Sequence, residues 1–243
     1  MKAVIIAAGR GKRMMPLTGE IPKPLVPIRG TPLLEYSLRG LRWAGILHVL
    51  VVIRYLGERI QEAYGDGSAL GMKLDYAWQT GADGTGSALL AAEELLGYEP
   101  FMLLWGDILM DPENYVRIQK AHMSYSCDLL STLNWVEDTS NGAAVYVRGD
   151  RITGIEEKPA PGSARTHWNQ AGLFVCTKGI FAAVRKSGVS TRGELEFTSG
   201  VQTMIKGGRD VRWMRLGGFW SDVGTPEALD RLHEEPAVAA LLR

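Results

Sequence analysis

Cysteine is scarce in this chain: among 243 residues there are two, Cys127 and Cys176, with no metal-ligand spacing and too few to frame a disulfide scaffold. That scarcity fits a reducing, cytoplasmic setting. Net charge is missing as well, since Lys plus Arg and Asp plus Glu both number 27, so no global field draws the protein to nucleic acid or to an anionic membrane. Any anionic ligand must be met by a local site. No apolar run approaches the ~20 residues of a membrane helix. The run nearest the N-terminus, Ala3 to Ala8, is followed at once by Gly9-Arg10-Gly11-Lys12-Arg13, the reverse of the charge order in a secretory signal. The four histidines are scattered, and no Ser/His/Asp or Cys/His grouping suggests a nucleophilic triad. Without a Ser- or Pro-rich linker or an internal repeat, the chain reads as one domain over residues 1–235 with a short tail, 236–243.

What is present is an ordinary globular composition, 46% apolar and 22% charged, arranged as short apolar runs alternating with amphipathic stretches. "KAVIIA" reads as a first strand, "LLEYSLRGLRWAG" as a helix with Leu34, Leu38 and Leu41 on one face, and "HVLVVI" as a strand buried on both faces. "GERIQEAYG" and "GSALLAAEELLG" follow as helices, and "KLDYAW" and "PFMLLWGD" as strands. After about residue 125 the texture turns antiparallel. "CDLLSTLNWV", "GAAVYVRGDRITGIEEKP" and "NQAGLFVCT" look like strands, with a hairpin turn at Gly149-Asp150. Two helices, "GELEFTSGVQTMIKGG" and "TPEALDRLHEE", flank a strand pair at "VRWMRL" and "GFWSDVG". The expected fold is α/β: a Rossmann-like layered arrangement with a mainly parallel central mixed sheet (about 1–125) and a more antiparallel C-terminal lobe (about 126–235).

In such sheets ligands bind where strand C-termini meet loops and helix starts. The segment "AAGRGKRMMPLTGEIPKPL" lies at that place after the first strand. Gly9 and Gly11 allow the backbone to approach a polyanion, Arg10, Lys12 and Arg13 supply charge, and Lys23 sits between Pro22 and Pro24 on a stiffened segment. Phosphate binding is one reading, and a solvated turn is the other. A dinucleotide fingerprint would need glycine where Met14 stands, and a P-loop would need Ser or Thr after Gly-Lys, where Arg13 stands.

The whole segment "AAGRGKRMMPLTGEIPKPLVPI" resembles the opening of the sugar-1-phosphate nucleotidylyltransferase family, and the resemblance continues to about residue 232. "YGDGSALGMKLDYAWQT" resembles the family stretch ending in the glutamine that meets the base, here Gln79. "DGTGSAL" places Gly84 and Thr85 at the nucleotide, together with Ala8, Gly9, Gly11 and Gly106. "LLWGDIL" carries the acid that holds magnesium, Asp107, and "FWSDVGTPEAL" a second metal-side acid, Asp222. "IEEKP" gives Glu157 for the sugar and Lys158 for its phosphate, with Gly142, Asn169 and Gln170 beside them. One departure stands out: where many members have Asn-[AT]-Gly-[IL], this chain has Gln170-Ala171-Gly172-Leu173, with Asn169 one position early.

The resemblance implies a Mg²⁺-dependent reaction in which an NTP and a sugar-1-phosphate give an NDP-sugar and pyrophosphate. Its catalytic residues would be Arg13, Lys23, Asp107, Lys158 and Asp222, all present. A catalytically silent nucleotide-sugar-binding relative would be expected to have lost one of these, and a nucleotide-dependent oxidoreductase is opposed by Met14. Gln79 carries a donor and an acceptor that suit uracil or thymine, so UTP or dTTP is the favoured substrate. The expected partners are these two small molecules, with no nucleic acid and no membrane. Homo-oligomerisation, GTP, CTP or ATP use, and the identity of the sugar are left open by the sequence.

Overall fold

A computed structural model describes residues 1–242. In chain order the first part comprises β1 (Ala3–Ile6), β2 (Pro27–Ile28), β3 (Thr31–Pro32), α1 (Leu33–Trp43), β4 (His48–Ile53), α2 (Gly57–Tyr64), β5 (Lys73–Trp78), α3 (Thr85–Ala91), β6 (Phe101–Trp105), β7 (Ile108–Met110) and α4 (Glu113–Tyr125). The second part comprises β8 (Leu129–Trp135), β9 (Ala143–Arg148), β10 (Arg151–Glu157), β11 (Trp168–Cys176), α5 (Gly179–Ser187), α6 (Phe197–Lys206), β12 (Val211–Arg215), β13 (Trp220–Asp222), α7 (Pro226–Glu234) and α8 (Pro236–Ala239).

One sheet runs through both parts in the order β5-β4-β1-β6-β11-β8-β12-β10-β9. From β5 to β6 every pairing is parallel. Beyond the half-buried His48 that opens β4, the strands β4 and β6 carry apolar side chains because helices cover both of their faces. From β6 onward the pairings are antiparallel except for the parallel β12–β8 pair. The expected mixed α/β fold, parallel first and more antiparallel later, is what forms.

Burial explains the layers. One core cluster packs α3, α5 and α6 on one face of the sheet, and a second packs α1, α2 and α4 on the other. In α1 the residues Leu34, Leu38 and Leu41 are fully buried, each contributing about 1.5–3 kcal/mol by leaving water. A third cluster joins Met14, Val26 and Ile28 of the opening loops to Leu229 and Leu232 of α7 and to Val238 and Leu241 beyond it. Residues 236–241 are thus packed against the loop that follows β1.

Several local expectations give way. The segments "VRWMRL" and "GFWSDVG" do form strands, but β12 joins the large sheet while β13 pairs with β7 in a separate two-stranded ladder. Hydrophobic alternation finds a strand without naming its partner. The helix expected across "GSALLAAEELLG" stops at Ala91 and continues as a 3-10 turn over Glu93–Leu95. The one expected from Gly193 starts at Phe197, because Gly193 closes a turn with Ser190 and the Leu195 backbone is bonded to the α3 entrance instead. Three helices, α4, α5 and the short α8 within the expected tail, have no counterpart in the sequence pattern; α4 buries Asn114 and His122 alongside Tyr115 and Ile118, which blurs its apolar stripe.

Candidate active site

The parallel strands end together, and the site starts at those ends. After β1 the loop turns at Gly11 with φ 65°, and a Cβ there would lie 3.1 Å from Thr18 Cγ2 and 3.3 Å from Lys23 Cβ. Only glycine tolerates both the left-handed backbone and that approach. The Thr18 hydroxyl donates to the Gly11 carbonyl at 2.9 Å and fixes the fold-back. Lys23 opens a 3-10 turn entered from Pro22 in extended conformation, and is itself buried. Its ammonium Nζ donates to Asp107 Oδ2 at 2.7 Å. Gly106, just before Asp107, lets β6 close on β1, since a Cβ there would lie 2.8 Å from the Ile6 carbonyl oxygen.

The β7–β13 ladder brings in the second acid. Asp222 pairs across it with Ile108, and the Val223 amide donates to the Asp107 carbonyl at 2.9 Å. Arg13 Nη2 lies 4.0 Å from Asp222 Oδ2. Burial pushes the Asp107 carboxyl up, but the charge and hydrogen bond of Lys23 outweigh it and hold the group below the ordinary carboxylate range. Asp222 goes the other way: burial and the neighbouring Asp107 charge raise it, only partly offset by Lys23 and Arg13. Its Oδ1 is buried with no hydrogen-bond partner. Two carboxylates, one with an orphaned buried oxygen, are a donor set that fits a hard divalent cation such as Mg²⁺, which takes oxygen ligands and keeps several waters. Among the described residues no larger cluster of His, Cys, Asp and Glu could hold a metal.

These groups line one end of a cavity of about 430 Å³. Gly9, Arg13, Lys23, Gly106, Asp107 and Asp222 stand there, with Thr85 on the wall. At the other end stand Gly142, Glu157, Asn169 and Gln170, joined by Asp138 and Asn141. Asn169 is locked: Oδ1 accepts from the Ala143 amide at 3.2 Å, and Nδ2 donates to Asn134 Oδ1 and to the Gln170 carbonyl, both at 3.0 Å. Gly142 makes room for it, since a Cβ there would lie 2.2 Å from Asn169 Oδ1. The Gln170 side chain has no partner among the described residues. Burial raises the Glu157 carboxyl above its usual range despite the nearby Arg192 charge.

The remaining expected site residues lie off this cavity. Ala8 has its methyl in the core. Gln79 is buried, and its Nε2 donates to the carbonyls of Ala82 and Gly84, both at 3.2 Å, so the amide shapes the loop after β5. Gly84, φ 114°, passes so close to Leu195 that a Cβ would lie 2.3 Å from its carbonyl oxygen. That contact is backbone to backbone: Leu195 N–H donates to Asp83 O, and Leu195 O accepts from the Gly86 and Ser87 amides. The Thr85 hydroxyl accepts from the Phe197 amide at 3.0 Å. Lys158 lines a second cavity of about 520 Å³ behind Glu157, which borders both. Arg192, unnoticed in the sequence, shares that second cavity and reaches Glu196 Oε1 at 2.7 Å and Glu157 Oε1 at 3.6 Å. In the sequence it is one cation ahead of Glu194 and Glu196 in "TRGELE", which looks like any charged loop. Asp138 and Asn141 lie in a turn held by Ser140, whose amide and hydroxyl donate to the Asp138 carboxylate at 3.0 and 2.6 Å. Nothing in that polar stretch distinguishes it from any exposed turn.

Comparison with known proteins places this geometry. The chain is 34% identical over 226 residues to the glucose-1-phosphate thymidylyltransferase of Streptomyces griseus, covering 92% of this chain and 62% of that protein. It is 32% identical over 245 residues to the UTP-glucose-1-phosphate uridylyltransferase AglF of Haloferax volcanii, covering 98% of this chain and 99% of that one. The chain therefore spans less than two thirds of the Streptomyces relative and nearly all of the Haloferax one. Among solved structures, a UDP-glucose pyrophosphorylase complexed with UDP-glucose superimposes with a TM-score of 0.86 at 24% identity, covering 96% of this chain and 97% of that one, which establishes the fold. The family model described as nucleotidyl transferase matches residues 2–237, and the chain belongs to that nucleotidyl transferase family.

Proposed function

We propose that the protein transfers a nucleotidyl group from an NTP to a sugar-1-phosphate, releasing pyrophosphate. The observation that carries this reading is the convergence of Arg13, Lys23, Asp107 and Asp222 at one end of a single cavity whose other end is lined by Glu157, Asn169 and Gln170. A sugar-phosphate oxygen attacks the α-phosphorus in line as the bridging bond from the α-phosphorus to the leaving pyrophosphate breaks. Both reactants are anions, so positioning and charge neutralisation carry such a transfer and no covalent enzyme intermediate is needed.

Arg13 and Lys23 neutralise the triphosphate and the departing pyrophosphate. Lys158 and Arg192 both line the second cavity, which Glu157 separates from the main one, and from there would supply positive charge toward the sugar phosphate. Asp107 and Asp222 would hold Mg²⁺, which when bound offsets charge on the nucleotide phosphates. Glu157 accepts from sugar hydroxyls. The thymidylyl and uridylyl names of the two relatives above support UTP or dTTP as the nucleotide, with the loop shaped by Gln79 at the base.

A screen of pyrophosphate release, crossing five NTPs with a panel of sugar-1-phosphates in the presence of Mg²⁺, tests the reading. UTP or dTTP is expected to exceed ATP in kcat/KM by about tenfold or more, because a mismatched base leaves buried polar groups unpaired. Release from no combination would refute the activity; preference for ATP or GTP would refute only the base.

A further inference from the structure

The main cavity is lined by two unlike groups of side chains. One offers the amides and carboxylates of Gln170, Asn141 and Glu157. The other is made by Ile108, Val136 and Trp220. Ile108 belongs to the core cluster that also packs α1 and α4, and Trp220 leans on it, so this wall is the open rim of a hydrophobic core. Its one polar side-chain atom, the Trp220 indole nitrogen, donates to the Ala171 carbonyl at 2.8 Å. That leaves the wall's side chains with no free donor or acceptor.

The wall is held in place by the irregularity that follows Gln170 in β11. Gly172 there has φ 86°, and a Cβ on it would lie 2.8 Å from Trp105 Cδ1 and 2.9 Å from Ile108 Cγ1. Ile108 directly follows Asp107, and Trp220 lies two residues before Asp222, on the same face of the β13 ladder. The apolar surface therefore starts next to the reacting phosphates and extends along the side of the cavity where the sugar ring must lie. A sugar hydroxyl turned toward it would give up its water and find no partner, whereas a methyl group would bury apolar area.

Resting on the proposed function, we infer that the sugar-1-phosphate it accepts carries a methyl-bearing substituent, seated against Ile108, Val136 and Trp220. That chemistry comes from either of two sources, a 6-deoxy sugar or an N-acetylamino sugar. Gln170, Asn141 and Glu157 then read the remaining hydroxyls.

Three sugar-1-phosphates of one ring stereochemistry separate the outcomes: glucose-1-phosphate, 6-deoxyglucose-1-phosphate and N-acetylglucosamine-1-phosphate, each assayed with the preferred NTP. One of the two methyl-bearing substrates is expected to exceed glucose-1-phosphate by about tenfold in kcat/KM, the discrimination one apolar group earns in such a pocket. Val136→Thr, which replaces a methyl by a hydroxyl at constant shape, is expected to reduce that ratio, and Val136→Ala, which only removes contact, to reduce it less. A 6-deoxy preference assigns the wall to the C5 methyl, and an N-acetyl preference assigns it to the acetamido methyl. Glucose-1-phosphate turning over as well as or better than both would overturn the inference while leaving the activity standing. So would a ratio unmoved by Val136→Thr. Pyrophosphate release from none of the three sugars, nor from the wider panel, would refute the activity and this inference with it.

Discussion

The two ends of the main cavity are built by different means. At the reacting end, Lys23, Asp107 and Asp222 project from the ends of buried strands or from a proline-stiffened turn, and they are tied to one another by charge: Lys23 Nζ to Asp107 at 2.7 Å, Arg13 to Asp222 at 4.0 Å. At the far end, Gly142, Asn169 and Gln170 are placed by hydrogen bonds between neutral groups and by a break in strand register. The first design stores electrostatic strain that a substrate relieves; the second stores shape. Substitutions should therefore separate activity from stability at one end and leave them coupled at the other.

The sharpest test of that contrast is Asp222→Asn. Pyrophosphate release should fall by about two to three orders of magnitude, as for the loss of one charge-stabilising group from a preorganised site. The folded protein should nevertheless melt no lower than wild type in EDTA, because the substitution removes a carboxylate whose ionisation burial and Asp107 oppose. The sign follows from linkage: an acid raised in the folded state costs stability as pH climbs past its unfolded value, so the variant's advantage should grow as pH rises above about 4 and level off once Asp222 is ionised in the folded protein as well. A melting temperature well below wild type across that range would break the comparison.

Gly142→Ala probes the other end and should show the opposite coupling. The new methyl must displace Asn169 Oδ1 from 2.2 Å, releasing the Ala143 amide and the Asn134 contact. The sugar-1-phosphate KM should rise about tenfold with the NTP KM little changed, and the melting temperature should drop, since a buried amide loses its partner at a cost of about 1–3 kcal/mol. Equal shifts in both KM values would show that the two ends are not separate.

The smallest effect is expected from Gln79→Ala. Because Nε2 donates to two carbonyls of the loop that ends at Gly84, its loss should loosen that loop and raise the KM for every NTP by a few-fold, on the order of one neutral hydrogen bond. A selective loss of UTP or dTTP preference would instead make Gln79 a direct reader of the base.

The same contrast explains what the sequence made legible. Charges at strand ends leave compact local marks: "LLWGD" is a buried strand stopping at an acid, and "PKPL" is a lysine braced by prolines. The proline-braced Lys23 could be singled out from its own few residues, whereas Asp107 and Asp222 took their metal-side roles from the family resemblance, because an acid at a strand end reads equally as a turn former. Their convergence came from the resemblance, since no spacing within this chain relates positions 23, 107 and 222. The far end was legible only in part. Asn169 and Gln170 were located, but that Asn169 is locked into the β-sheet and Gln170 is not depends on Asn134 and Ala143, which adjoin them only through strand pairing. The apolar wall left no mark, because Ile108 and Val136 look like any other strand residue. Arg192 was hidden for the same reason: one cation in a charged loop, given meaning only by what folds beside it. The missed α4 shows the limit of periodicity, since its buried side carries an asparagine and a histidine where apolar residues would have signalled a helix.

The order of strands in the sheet also governs how the protein comes into being. On one side β6 is bonded to β1, and on the other to β11, whose residues Trp168–Cys176 lie far downstream. As the chain leaves the ribosome, everything up to Tyr125 is made while that second side of β6 is an open edge of unpaired backbone N–H and C=O groups on a strand with apolar side chains, the kind of surface that invites pairing with a neighbouring chain. The exposure ends only when β11 arrives and inserts between β6 and β8. Until then the half that will bind phosphates has its strands but not its seal, so the vulnerable interval in this protein's life is a property of its topology, set by the stretch of translation that separates two neighbours in the sheet.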